Sequence, residues 1–115
     1  MTIQHFHPNA RMSQAVVANG FVFISGQVAA QDSEDITGQT HQVLDQIERL
    51  LVGAGSDKSR LVCVTIYLAD IEDFASMNAV WESWVAPDAR PARATVAAHL
   101  AGSQYRIEIQ ATAVQ

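Results

Sequence analysis

The apolar residues of the chain fall into short runs bounded by Gly, Pro, Asn and Asp, a pattern that predicts β-strands. Six strands are expected, at Thr2–Phe6, Ser13–Ala18, Phe21–Gly26, Leu61–Leu68, Ala94–Leu100 and Tyr105–Val114. Asn19-Gly20 separates the second run from the third and predicts a tight hairpin, because both positions tolerate positive φ. The run Leu61–Leu68 is almost wholly apolar, which is typical of a central strand buried on both faces.

Apolar residues at spacings of three and four predict two helices. The first is expected at Thr37–Ala54, with Thr37 as its N-cap and Gly55 as the left-handed residue after its end. Asp70 is expected to cap the second helix, which runs to about Val85.

The element order β-β-β-α-β-α-β-β predicts an α+β fold with one sheet and both helices on one face of it. The length of 115 residues fits one domain, residues 1–115. Alternation is expected to place three sets of residues on the uncovered face: Phe21, Phe23 and Ser25; Arg93, Thr95, Ala97 and His99; Arg106, Glu108, Gln110 and Thr112. That face is too apolar for open solvent, so we expect sheets of several subunits to pack there, with polar residues lining clefts.

The charge and cysteine content limit the class of partner and compartment. The net charge is -5 and the sequence has no basic block, which argues against nucleic acid. Cys63 is the one cysteine and stands in an apolar run, where a buried thiol would fit a reducing cytoplasm. The N-terminus lacks the pattern of a signal peptide, and no apolar stretch approaches the roughly 20 residues of a membrane span, so no membrane partner is expected.

Two charged residues near the end of the chain are candidates for chemistry. Arg93 follows Pro91-Ala92 at the start of a strand, and its guanidinium can bind a carboxylate through two parallel hydrogen bonds. Glu108 lies mid-strand between two isoleucines, where a carboxylate is costly unless it is paired or used. The alternatives are a surface arginine that pairs with an acidic neighbour, and a glutamate that is solvated or pairs with Arg106.

Weaker signals come from a turn, a helix and the histidines. Ser25 and Gly26 end a strand, where glycine lets backbone approach a ligand, although an ordinary turn has the same composition. Asn78 on the second helix could orient a ligand or cap a backbone group. The four histidines form no HExxH motif, and with one cysteine they make no zinc set, so no metal is expected.

Taken in order, these segments resemble the RidA (YjgF) family of reactive-intermediate deaminases. The resemblance extends from about Ser13 to Ala113. It is carried by Ser13-Gln14-Ala15-Val16, Phe23-Ile24-Ser25-Gly26-Gln27, Gln42-Val43-Leu44-Asp45-Gln46-Ile47, Tyr67-Leu68-Ala69-Asp70, Asp73-Phe74-Ala75-Ser76-Met77-Asn78, Pro91-Ala92-Arg93 and Ile107-Glu108-Ile109.

The resemblance implies a fold like that of bacillus-type chorismate mutase (ferredoxin-like). It also implies a homotrimer whose sheets form a central barrel with three clefts between subunits. Members of the family hydrolyse enamines and imines such as 2-aminoacrylate to 2-oxo acids and ammonia, without a cofactor. In that scheme the partner is a small imino or oxo acid.

The resemblance also implies roles for individual residues. Arg93 would grip the substrate carboxylate and Glu108 would position or activate water. Ser25, Gly26 and Asn78 match cleft positions. Two positions depart from the family pattern: Thr95 stands where the archetype has a cysteine, and Met12 stands where it has a tyrosine.

Three other functions stay open from the sequence. A non-catalytic trimeric protein that binds 2-oxo acids is favoured by Met12, which lacks the tyrosine hydroxyl. A chorismate mutase would need several cations around a dicarboxylate, and only Arg93 is well placed, with Arg106 in its neighbourhood. An RNA-acting protein is disfavoured by the acidic charge.

Overall fold

The computed structural model describes residues 1–115 and contains six strands and two helices in the predicted order. The strands are β1 Ile3–Phe6, β2 Ala15–Ala18, β3 Phe21–Gln27, β4 Leu61–Leu68, β5 Ala92–Ala97 and β6 Ile107–Val114. The helices are α1 Ile36–Gly53 and α2 Phe74–Trp84, and single 3-10 turns at Lys58–Arg60 and Ile71–Asp73 precede β4 and α2.

The strands form one mixed sheet in the order β1-β2-β3-β6-β4-β5. All neighbours are antiparallel except β4 and β5, which are parallel because the chain crosses over between them through α2. The last two strands of the sequence are therefore not neighbours in space. β4 lies between β5 and β6, so a residue of β5 and a residue of β6 are two strand spacings apart.

Both helices cover one face of the sheet, as predicted, and the core lies between the helices and the sheet. The sheet contributes Val22, Ile24, Val64, Ile66, Leu68, Ile107 and Ile109 to this core, and the helices contribute Val43, Leu44, Ile47, Leu51 and Met77. The alternation of buried and exposed residues along β3 and β6 shows that the second face of the sheet has no helix over it.

The local turn signals are mostly confirmed. Asn19 and Gly20 have φ of 52° and 80°, which fits the tight hairpin, and Gly55 has φ of 82° directly after the C-cap of α1. The N-cap prediction for α1 was wrong: Asp35 caps the helix by accepting a hydrogen bond from the Gly38 backbone N–H, and Thr37 is already inside the helix. Asp70 caps the 3-10 turn that leads into α2.

The prediction that β4 is buried on both faces was wrong for the single chain. Val64, Ile66 and Leu68 face the core, whereas Thr65 and Tyr67 lie half-buried on the uncovered face. Cys63 is exposed rather than buried. β4 lies inside the sheet, between β6 and the edge strand β5, and no element of the chain covers its second face.

The uncovered face presents several exposed apolar side chains. Phe21 and Phe23 are 40% and 45% exposed with ring centroids 6.2 Å apart, and Ile3 and Val96 are also exposed there. An apolar surface of this kind is typical of a protein interface. Neither helix has the length and apolarity that a membrane span requires.

Candidate functional site

The register of the parallel ladder fixes where Arg93 lies. Arg93 pairs with Val64 and Thr95 pairs with Ile66, and both partners face the core. Arg93 and Thr95 therefore lie on the helix side of β5, and the expectation that they share the uncovered face with Glu108 was wrong. Alternation is misleading here, because Ala92, Ala94 and Val96 are all apolar, as expected for a core-facing side, yet the register places them on the uncovered face.

Two aromatic rings of α2 hold the Arg93 guanidinium. Its central carbon lies 5.3 Å from the centroid of the Trp81 ring and 6.0 Å from that of Phe74. These distances are those of a cation–π contact, which places the planar group against the ring faces and leaves its N–H edges free.

Arg93 has no anionic partner in the chain. The two ion pairs of the structure join Arg49 to Asp45 and Arg106 to Asp73. Burial lowers the pKa of Arg93 below its ordinary value, while the negative charge of Glu82 acts in the opposite direction. The chain thus presents a partly desolvated guanidinium, with unused donors for a carboxylate.

Arg93 opens onto a cavity of about 310 Å³ that Asn78 also lines, so the structure brings these two predicted residues together. Thr95 lies two residues further along the same side of β5, and its buried hydroxyl oxygen has no hydrogen-bond partner. Buried hydroxyls are rarely left unpaired. We call Arg93, Asn78 and Thr95 the Arg93 half-site.

Glu108 lies on the uncovered face and pairs directly with Tyr67 in the antiparallel ladder. It lines a cavity of about 380 Å³ together with Gly26, Tyr67 and His99. The alternative that Glu108 is neutralised by Arg106 was wrong, because Arg106 reaches to the helix side and bonds Asp73 at 2.9 Å.

An irregularity in β3 brings Gly26 to Glu108. Between Ile24 and Gln27 the register with β6 shifts, so that the extra residue bends β3 towards its neighbour. A Cβ atom at Gly26 would overlap the Oε2 atom and the carboxyl carbon of Glu108. Glycine here therefore makes room for the carboxylate. We call Glu108 and Gly26 the Glu108 half-site.

Ser25, which precedes Gly26 on β3, is held by a network of amides. Its backbone N–H donates to the Gln14 carbonyl at 3.0 Å, and the Gln27 amide nitrogen lies 3.1 Å from its Oγ. Met12 is half-exposed in the preceding loop and does not line the Glu108 cavity. The structure thus brings Gly26 and Glu108 together, whereas neither Ser25 nor Met12 lines the cavity.

The two half-sites of one chain lie far apart. Glu108 and Arg93 are on opposite faces and are separated by β4, which corresponds to about 10 Å across the sheet. Glu108 pairs with Tyr67, and Tyr67 pairs with Val96 on β5. Val96 lies three residues from Arg93, so the two half-sites are also offset by about 10 Å along the strand direction. A metabolite of a few carbon atoms cannot contact both residues of the same chain.

No sequence motif marks the residues that support the site. Gln39 is fully buried in α1, its Nε2 lies 3.0 Å from the Gln104 carbonyl oxygen, and its Oε1 accepts a hydrogen bond from the Arg106 N–H at 2.9 Å. It thereby anchors the loop that leads into β6 and Glu108. The contact of Trp81 with Arg93 could have been suspected only from the arrangement of β5 beside α2.

Comparison with known proteins identifies relatives over nearly the full length. A model of the family described as endoribonuclease L-PSP matches residues 2–115. A RutC family protein of Haemophilus ducreyi is 41% identical over 103 residues, which are 90% of this chain and 88% of that protein. The RutC family protein YoaB of Escherichia coli is 39% identical over 113 residues, 98% of each protein.

A solved structure shares the whole fold. The crystal structure of a YjgF family member from Neisseria meningitidis superposes with a TM-score of 0.97 at 47% sequence identity. The match covers 100% of this chain and 96% of that chain. The α+β fold with one mixed sheet is therefore shared with that protein.

Proposed function

Since the chain belongs to the RidA (YjgF) family, we propose that it hydrolyses reactive 2-imino and 2-enamino acids to 2-oxo acids and ammonia. The observation that carries this proposal is the unpaired guanidinium of Arg93. It is partly desolvated, held by Trp81 and Phe74, and without an anionic partner in the chain. Such a group binds a substrate carboxylate bidentately.

We propose further that the active site forms between copies of the chain in a homotrimer. The Arg93 half-site of one copy would face the Glu108 half-site of the next, because the two lie too far apart within one chain to serve one small substrate. The exposed Phe21 and Phe23 on the uncovered face support this assembly. The exposed thiol of Cys63 fits a reducing, cytoplasmic location.

The chemistry needs orientation, one water and a group that carries protons. Arg93 binds the carboxylate, and Asn78 and the unpartnered Thr95 hydroxyl fix the rest of the substrate. The water oxygen bonds to C2 while one of its protons passes to the Glu108 carboxylate. That proton then moves from Glu108 to the nitrogen, which gives the carbinolamine. The C–N bond breaks as the remaining hydroxyl proton passes through Glu108 to the nitrogen, so that ammonia leaves and the carbonyl of the 2-oxo acid forms. Holding water and imine together supplies most of the acceleration.

The test is hydrolysis of 2-iminopropionate, generated in place by an amino-acid oxidase and followed by loss of the imine. Arg93→Ala should lower kcat/KM by about 100-fold or more, since truncating one partner of a buried charge pair costs several kcal/mol. Arg49→Ala is the matched control, because Arg49 is exposed and pairs only with Asp45 on α1. Equal rates for wild type and Arg93→Ala would overturn the proposal.

The position of Met12 favours a second function, a non-catalytic protein that binds 2-oxo acids. Met12 offers no hydroxyl and lies outside the Glu108 cavity, so the machinery for water is less complete than in the family pattern. Such a protein would bind pyruvate through Arg93 in calorimetry yet leave the rate of imine loss at its uncatalysed value. The same assay thus separates the two functions.

The description of the family as an endoribonuclease raises RNA cleavage as a third candidate. The net charge of -5 opposes it, because RNA binding relies on clustered cations. Incubation with single-stranded RNA at physiological salt, under the conditions of the imine assay, should yield no fragments.

A further inference from the structure

We propose that Tyr67 is a further catalytic residue, whose hydroxyl shares with Glu108 the binding of the hydrolytic water. This inference rests on the proposed function and adds a residue to it. It also answers how the chain can act without a tyrosine at the position of Met12.

Tyr67 stands directly opposite Glu108 on the neighbouring strand. In the antiparallel ladder of β4 and β6 the two residues are Cα partners, so their Cβ atoms are about 5 Å apart and both side chains leave the same face. Both are half-buried, and both line the cavity of about 380 Å³ beside Gly26. That volume accommodates a water and a substrate of a few carbon atoms.

A second polar group is needed beside the carboxylate. An ionised Glu108 accepts one hydrogen from a water but does not by itself fix the direction of the water's lone pair. A phenol oxygen that accepts the other hydrogen would leave a lone pair free to attack C2. Tyr67 keeps its own proton throughout, so the proton balance through Glu108 is unchanged.

Tyr67 is the tyrosine that can fill this role. The chain has two tyrosines, and Tyr105 lies in the loop before β6, outside the cavity. The thioether of Met12 is a poor acceptor, and Met12 does not line the cavity. His99 lines the cavity from the segment after β5, on a more exposed position. His99 lies outside the strands, whereas Tyr67 has Glu108 as its register partner.

The experiment compares Tyr67→Phe with the matched control Tyr105→Phe in the 2-iminopropionate assay, with pyruvate binding measured by calorimetry. Tyr67→Phe should lower kcat at least about 10-fold with KM and the pyruvate Kd nearly unchanged, because the carboxylate contact to Arg93 remains. Tyr105→Phe should match wild type. A His99→Gln variant should retain more activity than Tyr67→Phe.

Each failure has its own signature. Wild-type kcat in Tyr67→Phe, alongside loss of activity in Arg93→Ala, would overturn the role of Tyr67 and leave the proposed function standing. A fall in kcat with a parallel loss of pyruvate binding and thermal stability would assign Tyr67 a structural role and overturn the inference. No acceleration by the wild-type protein would overturn both proposals together.

Discussion

The carboxylate of Glu108 occupies the space that a side chain at Gly26 would fill. The backbone at Gly26 needs no positive φ, so the glycine serves this contact rather than a special conformation. The irregularity of β3 between Ile24 and Gln27 delivers the glycine to this point. Sequence and register thus combine to set the position of one carboxylate.

Gly26→Ala should therefore displace the Glu108 carboxylate without unfolding the protein, because the overlapping atoms are the far end of a flexible side chain. We expect kcat for imine hydrolysis to fall about 10- to 100-fold, the usual effect of misplacing a reacting group by roughly 1 Å. Gly53→Ala is the control, since a Cβ at Gly53 meets no atom within 4 Å. Equal kcat values for both variants would show that the contact has no bearing on activity.

Trp81→Leu removes the ring that lies 5.3 Å from the Arg93 guanidinium. Loss of this contact should raise KM for 2-iminopropionate about 5-fold, since a cation–π contact contributes about 1 kcal/mol. Trp84→Leu is the control for the neighbouring ring: Trp84 packs against Trp81 at 5.6 Å and donates to Glu48 at 3.0 Å, whereas Arg93 lies over Trp81 and Phe74. Both changes should lower the thermal midpoint, and a KM shift common to both would contradict the specific role of Trp81.

Gln39→Leu should destabilise the fold by about 3 kcal/mol, because the buried backbone groups bonded to the amide lose their partner. These groups are the Asp32, Glu34 and Gln104 carbonyls and the Arg106 N–H. Denaturant unfolding measures the change. Gln42→Leu removes an exposed amide that bonds only the backbone of Gln31, and it should cost much less; equal losses would argue against Gln39 as an anchor.

Asp35→Ala should lower the stability by about 1 kcal/mol through loss of the N-cap of α1. Thr37→Ala should have a smaller effect, since Thr37 is exposed within the first turn. Thermal unfolding of the two variants measures the difference. A larger loss of stability in Thr37→Ala than in Asp35→Ala would indicate that Thr37 is the N-cap of α1.

The fold was largely predictable because its signals are local. Hydrophobic periodicity predicted both helices, and Asn19-Gly20 and Gly55 mark turns that only positive φ permits. The N-cap was misjudged by two residues because Asp35 and Thr37 have similar capping propensity, and the choice depends on where the preceding loop ends.

The site was predictable as a set of residue types but not as an arrangement. Arg93 and Glu108 were assigned to one face because strand partners cannot be read from one sequence, and β4 proves to lie between β5 and β6. Cys63 was taken as buried for a related reason, since its apolar run faces a surface that the single chain leaves open. Both errors concern contacts between segments distant in sequence.

The central feature of the proposed mechanism is that Arg93 and Glu108 act together from two different copies of the chain. Arg93→Ala and Glu108→Gln proteins, each with its own affinity tag, are to be mixed by co-expression, and the doubly tagged oligomers assayed with 2-iminopropionate. In every mixed trimer about one site in three should then pair an intact Arg93 with an intact Glu108, so roughly a third of wild-type activity should return from two inactive parents. Doubly tagged oligomers as inactive as their parents would contradict the claim.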